Sequence, residues 1–354
     1  MSNTENNSGV KVYVGMSGGV DSSLTAALLV EQGYDVTGVY MKNWTQDLPG
    51  MRCPWADDLA DAKRVAVHLG IDFKVFDFET EYRQKVVDYM IEEYRLGRTP
   101  NPDIMCNQEV KFKIFLESAL EDGADLIATG HYARVLDGKL LQAEDANKDQ
   151  TYFLYRVTED ALKKTLFPLG EYTKPTVREM AKERGLYTAG KKDSQGICFV
   201  GQIGIREFLG QYVEQIAGSV IDKQTGKILG QHDGAIFYTI GQRHGLDIGG
   251  GLPYYVVGKN MDKNEVYVTT NLNDDALWKP ELEVASAHWI NEAPVAGEYQ
   301  VRVRHRAPLV TAHLSYVEDG VVKLHLDSPE RAVAPGQSIV IYDGQVCIGG
   351  GILV

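Results

Sequence analysis

The run Gly15-Met16-Ser17-Gly18-Gly19-Val20-Asp21-Ser22 constrains the fold more than any other feature of the sequence. It stands between Lys11 to Met16, a short apolar run of β-branched type, and Ser22 to Glu31, whose apolar residues recur at helical spacing. Glycine lets a backbone approach a ligand closely because it has no Cβ. Successive N–H groups and the helix N-terminus then offer positive potential to an anion. Ser17 and Ser22 add hydroxyl donors, and Asp21 could hold Mg²⁺ through its oxygens. The run is neither G-x-x-x-x-G-K-[ST] nor G-x-G-x-x-G, which excludes a Walker A site and disfavours a dinucleotide fold. A phosphate-binding turn is the reading that accounts for two Gly, two Ser and one Asp placed directly after a strand.

The strand and helix patterns repeat downstream. Val36 to Met41, Phe73 to Phe78 and Asp125 to Thr129 read as strands. Asp57 to Leu69, Glu79 to Arg95 and Lys111 to Glu121 read as helices. Such alternation predicts a parallel sheet with helices on both faces. The pattern changes after about Phe199, and from about Ala276 short alternating strands follow: Glu298 to Arg304, Val310 to Tyr316, Val321 to Leu326 and Ser338 to Tyr342. Asp319-Gly320 and Asp343-Gly344 read as hairpin turns. The expected organisation is an α/β domain over 1–203, a small central domain over 204–275 and a C-terminal β-barrel over 276–354.

The 354 residues suffice for a packed core, and 44% of them are hydrophobic. No apolar run is long enough to span a membrane, and Met1 to Gly9 is too polar for a secretory signal. The four cysteines, Cys53, Cys106, Cys198 and Cys347, form no C-x-x-C pair, and reduced thiols in a cytoplasmic protein are expected. A net charge of −13 argues against broad nucleic-acid affinity but not against one local basic face.

Two of the cysteines stand in segments that suggest chemistry. In Asn101-Pro102-Asp103-Ile104-Met105-Cys106-Asn107 two prolines nearby stiffen a polar loop that leads into the helix near Lys111. A thiol near a helix N-terminus has a lowered pKa, and Asp103 is in reach as an acid or base. Gly190-Lys191-Lys192-Asp193-Ser194-Gln195-Gly196-Ile197-Cys198-Phe199 reads as an exposed, electropositive loop that also favours a thiolate. Each cysteine alone could equally be a small buried hydrophobe.

Ser17 to Ser22 resembles the loop of the PP-loop, or N-type, ATP pyrophosphatases, with an adenine nucleotide alpha hydrolase-like fold. Together with Asn101 to Asn107, Thr129 to Tyr132, Asp145 to Tyr152, Asp193 to Phe199, Tyr238 to Arg243 and Arg302 to Arg306, it is similar to the bacterial tRNA-specific 2-thiouridylase family. The resemblance runs in order through almost the whole chain. It implies ATP bound at Gly15 to Ser22, with Met41 on adenine and Gly130 on the nucleotide. It implies thiolation at C2 of the wobble uridine in tRNAs for Lys, Glu and Gln. Cys198 would carry a persulfide that attacks C2 directly or releases hydrosulfide that attacks, Cys106 would act as nucleophile and resolve it through a transient Cys106–Cys198 disulfide, and Asp103 would be the acid/base.

Asn101, Pro102 and Asp103 would hold the base; His131, Lys148, Asp149, Gln150, Arg304, His305, Arg306 and Gln337 would contact tRNA. The implied partners are tRNA and a sulfur donor, either a cysteine desulfurase or a relay protein. Arg304 and Arg306 would alternate on a barrel strand, and a basic face would run through Lys191, Lys192, Arg302, Arg304 and Arg306. A small-molecule synthetase of the PP-loop class, and an RNA-binding protein with a vestigial nucleotide loop, remain open alternatives.

Overall fold

The computed structural model describes residues 7–47, 53–192, 204–246, 248–249, 251, 253–317 and 320–354. Its first sheet is parallel, as the alternation predicts. Strands β1 (Lys11–Gly15), β2 (Asp35–Lys42), β3 (Asp72–Asp77) and β4 (Leu126–Ala128) lie in the order β3-β2-β1-β4, and the two-residue strand Thr165–Leu166 continues the sheet beyond β4. β1 lies inside the sheet with Val12 and Val14 wholly buried, which is why it reads as an unbroken apolar run. Helix α1 (Val20–Glu31) follows it and has nine buried residues, from Val20 to Leu29. A helix apolar on nearly every side must be covered on every side. Its covers are the sheet, helix α2 (Trp55–Leu69) and the helix Lys174–Glu183.

The helix after the first cysteine segment starts earlier than the sequence reading places it. It runs over 102–121 as Pro102–Met105, a π-wound stretch Cys106–Ile114, and Phe115–Glu121. Pro102 sits in the first turn, where its missing N–H removes no intrahelical bond, and the Asn101 side chain caps the turn by accepting from the Asp103 N–H at 3.1 Å. The expected loop up to Lys111 is therefore helix.

The central sheet comprises Gly218–Asp222, Ile228–His232, Tyr255–Asn260 and Glu265–Thr269. The C-terminal unit is a closed barrel of six strands, Trp278–Trp289, Gly297–Arg302, Val310–Tyr316, Val322–Arg331, Ser338–Asp343 and Val346–Leu353. Closure follows because the first strand pairs with both Val322–Arg331 and Val346–Leu353. The order of units is that expected from the sequence.

Two junctions were not foreseen. A hairpin of the first domain, Arg134–Leu136 and Lys139–Leu141, turns at Asp137-Gly138 with positive φ at both residues and hydrogen-bonds to the barrel strand Val346–Leu353. At Thr99 all three units meet. Its N–H donates to the Pro335 carbonyl at 2.8 Å, and its hydroxyl lies 3.3 Å from that of Thr239.

Candidate nucleotide and thiol site

Between β1 and α1 the loop is shaped by contacts that only glycine permits. Gly18 has φ +73°, and a Cβ there would overlap the Asp58 carbonyl oxygen of α2. A Cβ on Gly130, just beyond β4, would stand 2.9 Å from the Asp21 carbonyl carbon and the Ser22 nitrogen. Met16 and Val20 are buried and anchor the loop from below. The Ser17 N–H donates to the Ser22 hydroxyl at 3.2 Å, and the Ser23 hydroxyl donates to the Gly19 carbonyl at 2.7 Å. Gly19 caps α1 without a side chain, so no side-chain oxygen occupies the N-terminal N–H groups. Met41 reaches along the floor, its Cε 3.0 Å from where a Cβ on Gly15 would lie. Thus Gly15 to Ser22, Met41 and Gly130 come together, and their donors and bare backbone fit a nucleotide phosphate.

A metal fits the same place poorly. Both oxygens of Asp21, expected to hold Mg²⁺, lie 2.7 Å from the Lys174 ammonium, and one accepts from the Tyr132 hydroxyl at 2.9 Å. Among the described residues no cluster of three or more His, Cys, Asp or Glu side chains could hold a metal. Asp21 is a counter-ion here. Lys174 was missed from the sequence because its partner is 153 residues away and no local pattern marks it.

The cysteine helix packs against the same loop through Gly130 and His131. Phe112, six residues after Cys106, lies 5.5 Å from His131 between ring centroids, and Phe167 completes the cluster, 6.1 Å from His131 and 5.8 Å from Phe112. His131 is buried, its Nδ1 2.8 Å from the Thr129 hydroxyl, and burial holds the imidazole well below its usual range, with Lys111 adding to the effect. It is therefore neutral and interior, which corrects the reading of His131 as a tRNA contact. Asp103 is only partly covered, yet burial raises its carboxyl pKa, against the pull of Lys111. Cys106 is 2% exposed and packs within the core rather than on a polar loop. The next residue, Asn107, donates from Nδ2 to the Phe153 carbonyl at 3.0 Å.

Cys198, and with it the Cys106–Cys198 disulfide, lies outside the described residues. The described chain before it, up to Lys192, is held at several points. Lys191 donates to the Gly18 carbonyl at 3.1 Å and pairs with Asp58 and Asp61 at 2.8 and 2.7 Å. Arg178 donates to the carbonyls of Ala189 and Lys191. The expectation of an exposed Lys191 is corrected: the ammonium is tied to the phosphate loop, and only Lys192 beside it is exposed.

On the far side of Phe153 the first domain meets the barrel. Phe153 packs against His305 with ring centroids 4.4 Å apart and planes tilted by 44°, and a cavity of about 460 Å³ lies between Lys148 and Asp149 on one wall and Arg302, His305 and Arg306 on the other. Two expected tRNA segments, far apart in sequence, thus face each other. Not every residue in them is available. Asp149 is 3% exposed, pairs with Arg302 at 3.0 Å and accepts from the Thr151 hydroxyl at 2.8 Å, so it is a strut of the junction. Gln150 accepts from the Tyr132 N–H at 2.9 Å.

Arg304 and Arg306 are exposed, but the strand ends at Arg302; they sit on the following turn, where Arg306 has φ +63°, and do not alternate on a strand. Burial lowers the His305 pKa, helped by Arg306 and Arg302. Gln337 closes its own turn by accepting from the Ala334 N–H at 3.2 Å. Of the five cations expected on one basic face, Lys191 and Arg302 turn inward, whereas Lys192, Arg304 and Arg306 face solvent.

Comparison with known proteins covers the same three units. Residues 10–202 match the tRNA methyl transferase HUP domain, 206–270 the tRNA methyl transferase PRC-barrel domain and 279–353 the aminomethyltransferase β-barrel domain. The tRNA-specific 2-thiouridylase MnmA of Bacillus cytotoxicus is 47% identical over 347 residues, covering 96% of this chain and 93% of its own. The enzymes of the same name from Bacillus thuringiensis and Bacillus anthracis match to the same extent. Among solved structures, a 4-thiouridine synthetase–RNA complex with bound ATP covers 58% of this chain and 50% of its own, at 20% identity and TM-score 0.40, too slight a likeness to bear on function. The domain descriptions speak of methyl transfer while the near-full-length relatives are thiouridylases, and the relatives carry more weight because they span every element of the site. The chain belongs to the tRNA-specific 2-thiouridylase MnmA family.

Proposed function

We propose that the protein is an ATP-dependent tRNA uridine 2-sulfurtransferase acting on the wobble uridine of tRNAs for Lys, Glu and Gln. The observation that carries this reading is the packing of two sites on one short segment. Gly130 abuts the phosphate loop, and His131 abuts the helix that holds Asp103 and Cys106. Identity to the thiouridylases across all three units supports it.

Bound ATP supplies the adenylyl group that makes the C2 oxygen a leaving group, released as AMP beside pyrophosphate. The α1 N-terminus and the loop N–H groups hold the phosphates, and Met41 lies under the adenine. Any Mg²⁺ would have to come with the ATP, since Asp21 is held by Lys174 and Tyr132. Asp103, its pKa raised by burial, moves the proton at the base, which Asn101 and Pro102 border.

The outer sulfur of a Cys198 persulfide attacks C2. Cys106 then attacks the inner sulfur, the S–S bond breaks with its electron pair going to the uridine sulfur, and a Cys106–Cys198 disulfide remains for reduction by a cellular thiol. A cysteine desulfurase or relay protein loads Cys198. Lys148, Arg304 and Arg306 take the tRNA backbone. The cytoplasm, where tRNA is at hand, is the proposed location, and the proposed working division is 1–203, 204–275 and 276–354. No helix among the described residues is long and apolar enough to cross a membrane.

Unmodified tRNA, ATP and a persulfide-charged desulfurase provide the test, with nucleoside mass spectrometry for 2-thiouridine and release of pyrophosphate as readouts. Thiolation should vanish in Cys198→Ser while ATP binding persists. Undiminished thiolation in that variant, or pyrophosphate release indifferent to tRNA, would sink the proposal.

A further inference from the structure

Two lysines stand on the helix that carries Asp103 and Cys106, and they are placed differently. Lys113 is exposed and pairs with Glu109 at 3.2 Å. Lys111 is half-buried between the buried Val110 and Phe112, and it makes no hydrogen bond or ion pair among the described residues. An exposed lysine has water for a partner. A half-buried one has lost part of that hydration, and Lys111 gains no carboxylate contact in return.

The helix aims this ammonium. Lys111 follows Asp103 by eight residues, about two turns, so the two lie along one side of the helix. Side chains on a helix lean toward its N-terminus, which carries the Lys111 stem back toward Asp103. Its neighbour Phe112 packs on His131 with ring centroids 5.5 Å apart, and Gly130, just before that histidine, abuts the backbone of Asp21 and Ser22. The charge is felt at both ends of this span. Burial raises the Asp103 carboxyl and Lys111 pulls it back; burial depresses the His131 imidazole and Lys111 adds to that. Lys111 is thus in electrostatic reach of the acid at the base pocket and of the segment that touches the phosphate loop. The lysines beside that loop, Lys174 and Lys191, already end on Asp21, Asp58 and Asp61.

Adenylyl transfer builds negative charge between those two places. The uridine C2 oxygen attacks the α phosphorus, the N3 proton passes to Asp103, and the bond from the α phosphorus to the α–β bridging oxygen breaks with its electron pair going to pyrophosphate. We propose that Lys111 is the catalytic cation of this step, its ammonium contacting an oxygen of the transferred α phosphate. The inference rests on the thiouridylase reading of the site. A cation placed where charge grows in the transition state speeds the step more than it tightens ground-state binding.

Single-turnover release of pyrophosphate by the full-length protein, with ATP and saturating unmodified tRNA, tests this, with calorimetric ATP affinity in the absence of tRNA as the control. Lys111→Met should slow release roughly a hundredfold or more. Its ATP affinity should stay within about threefold of wild type. Lys111→Arg keeps the charge and should recover roughly tenfold of the lost rate. A rate in Lys111→Met close to wild type overturns the proposal. So does an arginine variant as slow as the methionine one, because packing and not charge would then have been lost. A loss of ATP affinity equal to the loss of rate makes Lys111 a ground-state or structural residue, which also overturns it. If raising the pH restores the wild-type rate in Lys111→Met, the lysine acts only by keeping Asp103 ionised, and the phosphate contact is overturned. If the unmodified protein releases no pyrophosphate with tRNA, the thiouridylase reading falls first and takes this inference with it.

Discussion

Around the phosphate loop every lysine ends on carboxylates: Lys174 on Asp21, and Lys191 on Asp58 and Asp61. At the barrel cavity Arg302 does so, on Asp149, while Arg304 and Arg306 are exposed on a turn, Arg304 donating to the Arg331 carbonyl at 3.0 Å. The first region is charged but locked, with its ligand surface made of backbone. The second keeps its locked pair in the cavity walls and leaves exposed arginines beside it. A small ligand that must be held in one pose suits the first arrangement. A large polyanion, gripped through phosphates and released, suits the second.

The comparison breaks most sharply at Asp149. Asp149→Ala would leave Arg302 buried and unpaired, at a cost of about 3–5 kcal/mol, visible as a drop in the thermal midpoint. A midpoint unchanged within error would show the pair to be solvated. Next in size is Gly18→Ala. It adds left-handed strain of about 1–3 kcal/mol to the overlap with Asp58, so ATP affinity should fall roughly tenfold or more while tRNA affinity, read by filter binding, holds.

Arg304→Ala and Arg306→Ala should do the reverse. Each lowers the salt slope of tRNA binding by about one and leaves ATP binding alone. The smallest effect concerns pH. His131 titrates well below its unfolded value of 6.5, so the unfolded chain binds the extra proton first, and stability should be lost as pH falls below about 6.5. Thermal midpoints from pH 8 to 5 should decline less in His131→Gln, and an identical decline would place the acid sensitivity elsewhere.

The phosphate loop was legible because its signal is local: a strand, a turn rich in glycine and a helix follow within about twenty residues. The barrel was legible from period-two alternation. What failed was of two kinds. Pro102 was read as loop punctuation, although Asn-Pro-Asp is also a capped helix start, and so Cys106 was placed on a loop and not in a buried helical turn. Lys174 and the Asp149–Arg302 pair could not be read locally, since each joins positions 153 residues apart. Asp149 and His131 look like surface residues by type, and Lys191 like a free cation; only the fold shows that the first two are buried and that the third is tied to Asp58 and Asp61. Net charge likewise could not say which cations remain for RNA.

The hairpin of the first domain that zips onto Val346–Leu353 has a temporal consequence. Its own strand Lys139–Leu141 leaves the ribosome about 200 residues before its partner exists. At roughly 5–20 residues per second, that is about 10–40 s during which the nucleotide domain carries an unmatched β edge. Assembly of this molecule therefore has an order imposed by synthesis: the barrel that carries one wall of the cavity can close only after translation has passed its last strand, however early the phosphate loop has formed.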